Sequence, residues 1–325
     1  MKRVACIGLV AIAAAVLGLS PGLGDAAALA PVTFMLDWFP NPDHVPLYAA
    51  IEQGYFTQAG LRVNLEVPAN PDDPLKLAAV GRVDVAVSYE PSVIMARAQG
   101  LPVRSVGLLI GQPLTTVMFL KSSGIRTPHD LAGRRVGFAV TGFADAIVDT
   151  ILRPYGVAPS RVTLVNVGFD LVPALLAHKV DAVVGAYRNY ERVQIELQGQ
   201  AVGMFEPEQY GVPSFYELVL ISSDRTVARE RGALRRFVEA VDRGIAFTER
   251  HPQEAFQAYV RRNIRQNPKI DDALNRRSFG ITLAYYARTQ AQSRARWEAF
   301  DRWLATHKVI PRPVPVDQLY TNLTP

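Results

Sequence analysis

Two stretches about a hundred residues apart follow one plan, and that repetition limits the chain's architecture more than any other feature. Leu77-Ala78-Ala79-Val80-Gly81-Arg82-Val83-Asp84-Val85-Ala86-Val87-Ser88-Tyr89 reads as a helix end, a turn, a short buried strand and a tyrosine. Leu175-Leu176-Ala177-His178-Lys179-Val180-Asp181-Ala182-Val183-Val184-Gly185-Ala186-Tyr187 repeats it, with the Val-Asp pair again at the turn. Short apolar strands alternating with helices favour mostly parallel sheets covered by helices. A plan used twice in 325 residues points to two similar α/β lobes.

A second pair of look-alike segments suggests how the lobes join. Val117-Met118-Phe119-Leu120-Lys121-Ser122-Ser123 and Glu217-Leu218-Val219-Leu220-Ile221-Ser222-Ser223 both read as strands ending in Ser-Ser. We read Val117–Leu120 and Leu218–Ile221 as two strands that cross between lobes. Lobe one would then hold residues 31–119 plus 222–325, and lobe two residues 120–221. From Asp224 onward the chain reads as helical, with breaks near Gly232, Pro252, Pro268 and Pro311. Trp297, Phe300 and Leu304 recur at helical spacing and are expected in the core.

The N-terminus sets the compartment. Lys2-Arg3, an apolar run from Val4 to Leu19 and the small residues ending Ala28-Leu29-Ala30 have the layout of a secretory signal peptide. Residues 1–30 are therefore expected to be removed, leaving a periplasmic protein that begins near Pro31. The single cysteine, Cys6, lies inside that leader, so the mature chain has no thiol for a disulfide, a metal or a nucleophile. Residues 224–312 carry 19 Lys/Arg against 10 Asp/Glu. Solvated basic helix faces explain that excess, and export argues against a nucleic-acid partner.

No catalytic signature stands out beyond the leader: from residue 31 onward G-x-S-x-G, H-E-x-x-H, the P-loop and G-x-G-x-x-G are all missing, and the five histidines lack metal-ligand spacing. The chain therefore reads as a non-enzymatic binding protein without cofactor or metal. What remains is polar and aromatic residues at strand ends, where open α/β sheets bind ligands. In Asp37-Trp38-Phe39-Pro40-Asn41-Pro42-Asp43-His44, Trp38 offers a flat face, and Asp37, Asn41 and His44 offer polar atoms; the same loop also reads as a rigid turn with a helix cap and Trp38 in the core. In Ser88-Tyr89-Glu90-Pro91, Tyr89 and Glu90 could meet a ligand, or Glu90 could cap the helix that follows. Thr141-Gly142-Phe143 precedes a helix whose free N–H groups suit an anion or a carbonyl, or are simply capped. Tyr187-Arg188-Asn189-Tyr190-Glu191 places two rings, an amide and an acid within five residues, so Tyr187, Asn189 and Glu191 are candidates.

Leu36-Asp37-Trp38-Phe39-Pro40-Asn41, Tyr48-Ala49-Ala50, Gly54-Tyr55-Phe56, Val83-Asp84, Ser88–Pro91 and Tyr187–Glu191 resemble the thiamine-pyrimidine-precursor branch of the substrate-binding proteins. That group also holds alkanesulfonate and taurine receptors and the fungal thiamine pyrimidine synthase. The resemblance implies a type II periplasmic binding-protein fold, two α/β lobes joined by two crossover strands with the ligand cleft between them. It also implies a monomeric receptor for an ABC importer, working with its permease and ATPase, and a ligand such as formylaminopyrimidine or hydroxymethylpyrimidine. Trp38 and a tyrosine would sandwich the pyrimidine while Asn189 and Glu191 read its amino edge. Arg188 stands where receptors of this branch often carry a second tryptophan, which leaves a flavin or another aminated heterocycle open as ligand. The synthase chemistry, by the same resemblance, needs a lysine, a histidine and a cysteine-rich motif; the first two slots fall on Ser88 and Ser92.

Overall fold

The computed structural model describes residues 28–324. The leader read in residues 1–30 lies outside them except for its last three residues. Of these, Ala30 already opens the first strand and donates its N–H to the Gly60 carbonyl at 2.9 Å. A cut after Ala30 would remove that bond.

Ten strands form two five-stranded sheets. The first sheet contains β1 (Ala30–Met35), β2 (Leu61–Glu66), β3 (Val85–Ser88), β4 (Val103–Ile110) and β10 (Leu218–Ser223), in the order β2-β1-β3-β10-β4. The second contains β5 (Thr115–Leu120), β6 (Arg135–Phe138), β7 (Thr163–Asn166), β8 (Ala182–Tyr187) and β9 (Val202–Phe205), in the order β7-β6-β8-β5-β9. In each sheet the first three strands in the order run parallel, and the fourth sits antiparallel between the third and the fifth. The two orders are therefore the same, with β5 and β10 in equivalent places. Both are buried along their whole length, as befits strands covered by helices on two faces.

The repeated Val-Asp turn does the same job twice. Asp84 donates its N–H to the Thr33 carbonyl, and its Oδ2 accepts the Thr33 N–H at 2.8 Å. Asp181 donates to the Arg135 carbonyl, and its Oδ2 accepts the Arg135 N–H at 2.9 Å. Each carboxylate thus locks the start of the third strand in the order, β3 or β8, to the second, β1 or β6.

The reading of Val117–Leu120 and Leu218–Ile221 as strands that cross between lobes is corrected. β5 pairs only with β8 and β9, and β10 only with β3 and β4. The chain changes sheet in the irregular segments before them, at residues 111–114 and 206–217, not at 119/120 and 221/222. The similarity of the two Ser-Ser strands reflects equivalent places in two sheets. A strand that hydrogen-bonds on both edges within one sheet has no donors or acceptors left for the other.

The C-terminal helices complete the first lobe. Trp297, Phe300 and Leu304 are fully buried in its core. Helix Arg231–Arg250 crosses helix Val45–Glu52 at Gly244, where a Cβ would collide with the Pro46 carbonyl and the Ala50 methyl. Gly232, expected as a break, is the second residue of that helix; an exposed glycine in a first turn costs only about 1 kcal/mol, which the buried face outweighs. Pro252 does mark a break, as the first residue of helix Pro252–Asn263. Among the described residues no helix is long and apolar enough to cross a membrane, and no cluster of three or more His, Cys, Asp or Glu is placed to hold a metal ion.

Candidate functional site

The ends of β1, β3 and β8 and the two connections between sheets converge on a cleft of about 730 Å³. Its wall includes Asp37, Trp38, Asn41 and Asp43 from the loop after β1, and Tyr89 and Ser92 from the end of β3 and the helix it feeds. The second lobe supplies Phe138–Val140, Phe143, Leu171, Tyr187, Tyr190 and Glu191. Thr115 and Glu217 come from the edges of the connections.

Trp38 leaves the first lobe and packs in a second-lobe cluster with Met118, Leu120, Ala139 and Leu171. Its ring meets Phe169 edge-on at 4.4 Å, and its Nε1–H has no partner. The two roles weighed for it, core residue and cleft wall, thus coexist in one side chain. Beneath it, Asn41 donates its N–H to Nδ1 of His44, which fixes the proton on Nε2, 2.9 Å from Asp37 Oδ1. The Tyr89 hydroxyl donates to Asp37 Oδ2 at 2.9 Å. Asp37 therefore lines the cleft with both oxygens already engaged.

Three further carboxyl groups line the wall. Glu217 spans both connections: Oε2 accepts the N–H groups of Leu114 and Thr115, and Oε1 accepts the Thr115 hydroxyl at 2.9 Å. Glu191 opens helix Glu191–Leu197 and accepts the Tyr187 N–H at 2.7 Å. Asp43 accepts Nδ2 of Asn189 on Oδ1 at 2.6 Å, while its Oδ2 has no partner. Burial raises all three acids: Asp43 and Glu191 to about 7, and Glu217 upward by the same cause. Burial likewise lifts the Tyr89 and Tyr187 hydroxyls well above their ordinary range. Among the described residues lining this cleft there is no lysine, arginine or histidine. Such a wall suits a flat, neutral or cationic ligand with N–H donors, and it repels an anion.

Of the residues singled out in the sequence, Asp37, Trp38, Asn41, Tyr89, Tyr187 and Glu191 come together on this wall. His44, Glu90 and Asn189 stand behind it, each fully buried. His44 orients Asp37. Glu90 accepts the Tyr216 N–H at 2.6 Å, and burial lifts its carboxyl to about 8. Asn189, expected to read a ligand, instead spends both amide protons on Asp43 and on Thr282 at 2.7 Å. Thr141 and Gly142 line an adjoining space of about 780 Å³ that shares Asp37, Tyr89, Ser92 and Val140 with the cleft. Thr141 donates its N–H and hydroxyl to Asp72 of the first lobe, so that helix start is already capped. Arg188 stays off the wall: its guanidinium meets Glu208 at 2.6 Å and Glu206 at 3.6 Å beside the second connection.

Asp43, Glu217 and Tyr190 escaped the sequence reading. Asp43 lay in the loop that was singled out but reads as a helix-start acid. Tyr190 lay in a chosen segment. For Glu217 the available signal was an acid immediately before a six-residue strand buried throughout.

Residues 41–255 match the family model described as NMT1/THI5 like. This chain belongs to the NMT1/THI5-like family. A Haemophilus influenzae protein named for thiamine biosynthesis is 38% identical over 86% of this chain and 88% of its own length. The formylaminopyrimidine-binding protein of Halalkalibacterium halodurans is 35% identical over 92% of both chains. A Legionella pneumophila protein named 4-amino-5-hydroxymethyl-2-methylpyrimidine phosphate synthase is 28% identical over 90% of this family member and 91% of its own length. Among solved structures, the alkanesulfonate-binding protein SsuA of Xanthomonas axonopodis pv. citri, bound to MOPS, superposes with a TM-score of 0.71 at 18% identity, covering 91% of this chain and 100% of that one. That likeness carries the fold, which is the two-lobed fold of the periplasmic binding proteins.

Proposed function

We propose that the protein is the solute-binding receptor of an ABC importer, that it is exported to the periplasm, and that it captures an aminopyrimidine precursor of thiamine. The observation that carries this reading is the cleft wall: aromatic rings with four carboxyl groups and, among the described lining residues, no basic side chain. Trp38 and the tyrosines provide faces for a ring, and Glu191 provides an acceptor for its amino edge. The formylaminopyrimidine-binding relative lends support from a second direction. A sulfonate, as in the SsuA neighbours, would meet four acids without a compensating cation, so the sulfonate alternative is disfavoured.

The synthase-named relatives keep an enzymatic reading in view. Against it stand Ser88 and Ser92 in the slots where the resemblance places the lysine and the histidine. Ser92 reaches the cleft with its hydroxyl unpartnered. The sole cysteine of the sequence is Cys6.

Calorimetry on the protein without its leader tests the proposal. Formylaminopyrimidine or hydroxymethylpyrimidine should bind at micromolar Kd or tighter, about −8 kcal/mol or better, and taurine should not register. Binding of taurine in place of either pyrimidine, or turnover of a bound pyrimidine, would overturn it.

A further inference from the structure

Asp43 is 1% exposed, yet it belongs to the cleft wall and its Oδ2 has no hydrogen-bond partner. A buried acceptor without a donor is expensive, so such an atom calls for a group that completes it. Its other oxygen is fixed by Asn189 of the second lobe at 2.6 Å, and Asn189 is held in turn by Thr282 at 2.7 Å. A turn of the carboxylate would hand that bond to the other oxygen and still leave one acceptor unpaired. Glu191 approaches the same space from the opposite lobe. The charges of Asp37 and Glu191 both act on Asp43 to disfavour its ionised form, and His44 acts the other way.

Two acceptors from different lobes that line one cleft are complementary to a single group with two N–H bonds. We propose that Asp43 is a specificity-determining residue whose free Oδ2 takes one N–H of the ligand's exocyclic amine while Glu191 takes the other, so that the amine itself bridges the lobes. This rests on the aminopyrimidine reading above and adds to it a residue and a role. Selection between an amine and an isosteric methyl or hydrogen would then depend on both carboxylates together. Asn189 serves as a positioning residue that aims Oδ2.

The test is a cycle of proteins and ligands, read by calorimetry, with urea melts of each unliganded variant to establish folding. The ligands are hydroxymethylpyrimidine and its analogue with hydrogen in place of the amine. Asp43→Asn keeps an oxygen for Asn189 and presents N–H to the cleft where an acceptor stood. It should weaken the amino ligand by about 10- to 100-fold and the des-amino analogue by less than about threefold. Glu191→Gln should show the same preference, and the double variant should lose less than the product of the two single losses. Asn189→Ala, which leaves both carboxylates in place but one unaimed, should also reduce the preference for the amine. Equal losses for both ligands in a folded Asp43→Asn protein, or no loss, would overturn the assignment. Wild-type protein that binds neither pyrimidine would instead overturn the reading of function on which it rests.

Discussion

The two lobes are built on one strand order but hold together differently. The first sheet is backed by helices Val45–Glu52, Arg231–Arg250 and Pro252–Asn263 and by the chain up to Leu323, all feeding one continuous core. The second sheet has two smaller clusters, and one of them borrows Trp38 from the first lobe. The equivalent acids that follow the third strands differ as well. Glu90 is sealed behind the wall against Tyr216, whereas Glu191 reaches the cleft. One plan has thus become a heavy platform and a lighter partner whose packing is completed across the gap. The proposed recognition chemistry sits where the partner is least self-sufficient.

The sharpest way to break this comparison is Trp38→Ala. Removing a ring that is buried in the second-lobe cluster should cost about 3–5 kcal/mol of stability in urea titration, with protease sensitivity rising first in the second lobe. A loss below about 1 kcal/mol with ligand binding abolished would make Trp38 a stacking platform alone. Next come the twin aspartates. Asp84→Ala strands the Thr33 N–H in a partly buried setting, and Asp181→Ala strands the Arg135 N–H in an exposed one. We expect about 2 kcal/mol for the first and about 1 kcal/mol for the second in parallel melts. Equal costs would mean that the two turns are as interchangeable in energy as they are in sequence.

The smallest effect separates the twin glutamates by pH. Burial lifts the Glu90 carboxyl from 4.5 to about 8, so the folded protein holds that proton more tightly than the unfolded chain. The stabilisation from this group is complete below about pH 4.5 and is lost as pH climbs through about 8. Glu90→Gln stays neutral throughout and keeps an acceptor for the Tyr216 N–H. It should flatten the fall in stability between pH 7 and 9 by about 1 kcal/mol, with ligand affinity within about twofold of wild type. An unchanged slope would show that Glu90 is already ionised in the folded protein.

Much of the fold was legible because it is written locally. The Val-Asp turns, the Asp37–His44 loop and the tyrosines that end β3 and β8 each lie within a dozen residues, and spacing alone puts them at strand ends. Which side of a wall a residue occupies is set by partners far along the chain. Asn189 is turned away from the cleft by Asp43, 146 residues earlier, and by Thr282, 93 residues later. Glu217 acquires meaning only when it meets Leu114 and Thr115, 103 and 102 residues away. The strands Val117–Leu120 and Leu218–Ile221 were recognised as a pair, but equivalence and adjacency look alike in a sequence, and only the ladder tells them apart.

Glu217 has a mechanical consequence. Two separate tethers between two bodies can bend, twist or slide past each other. Here one carboxylate staples the tethers together: Leu114 and Thr115, where the first tether enters the second lobe, are held by Glu217, where the second tether returns to the first lobe. Sliding would tear three hydrogen bonds from a site with little water to replace them, whereas bending need not break any. Any movement of the lobes that keeps those three bonds would be close to the single swing of a door on one pin, bringing the same two faces together each time.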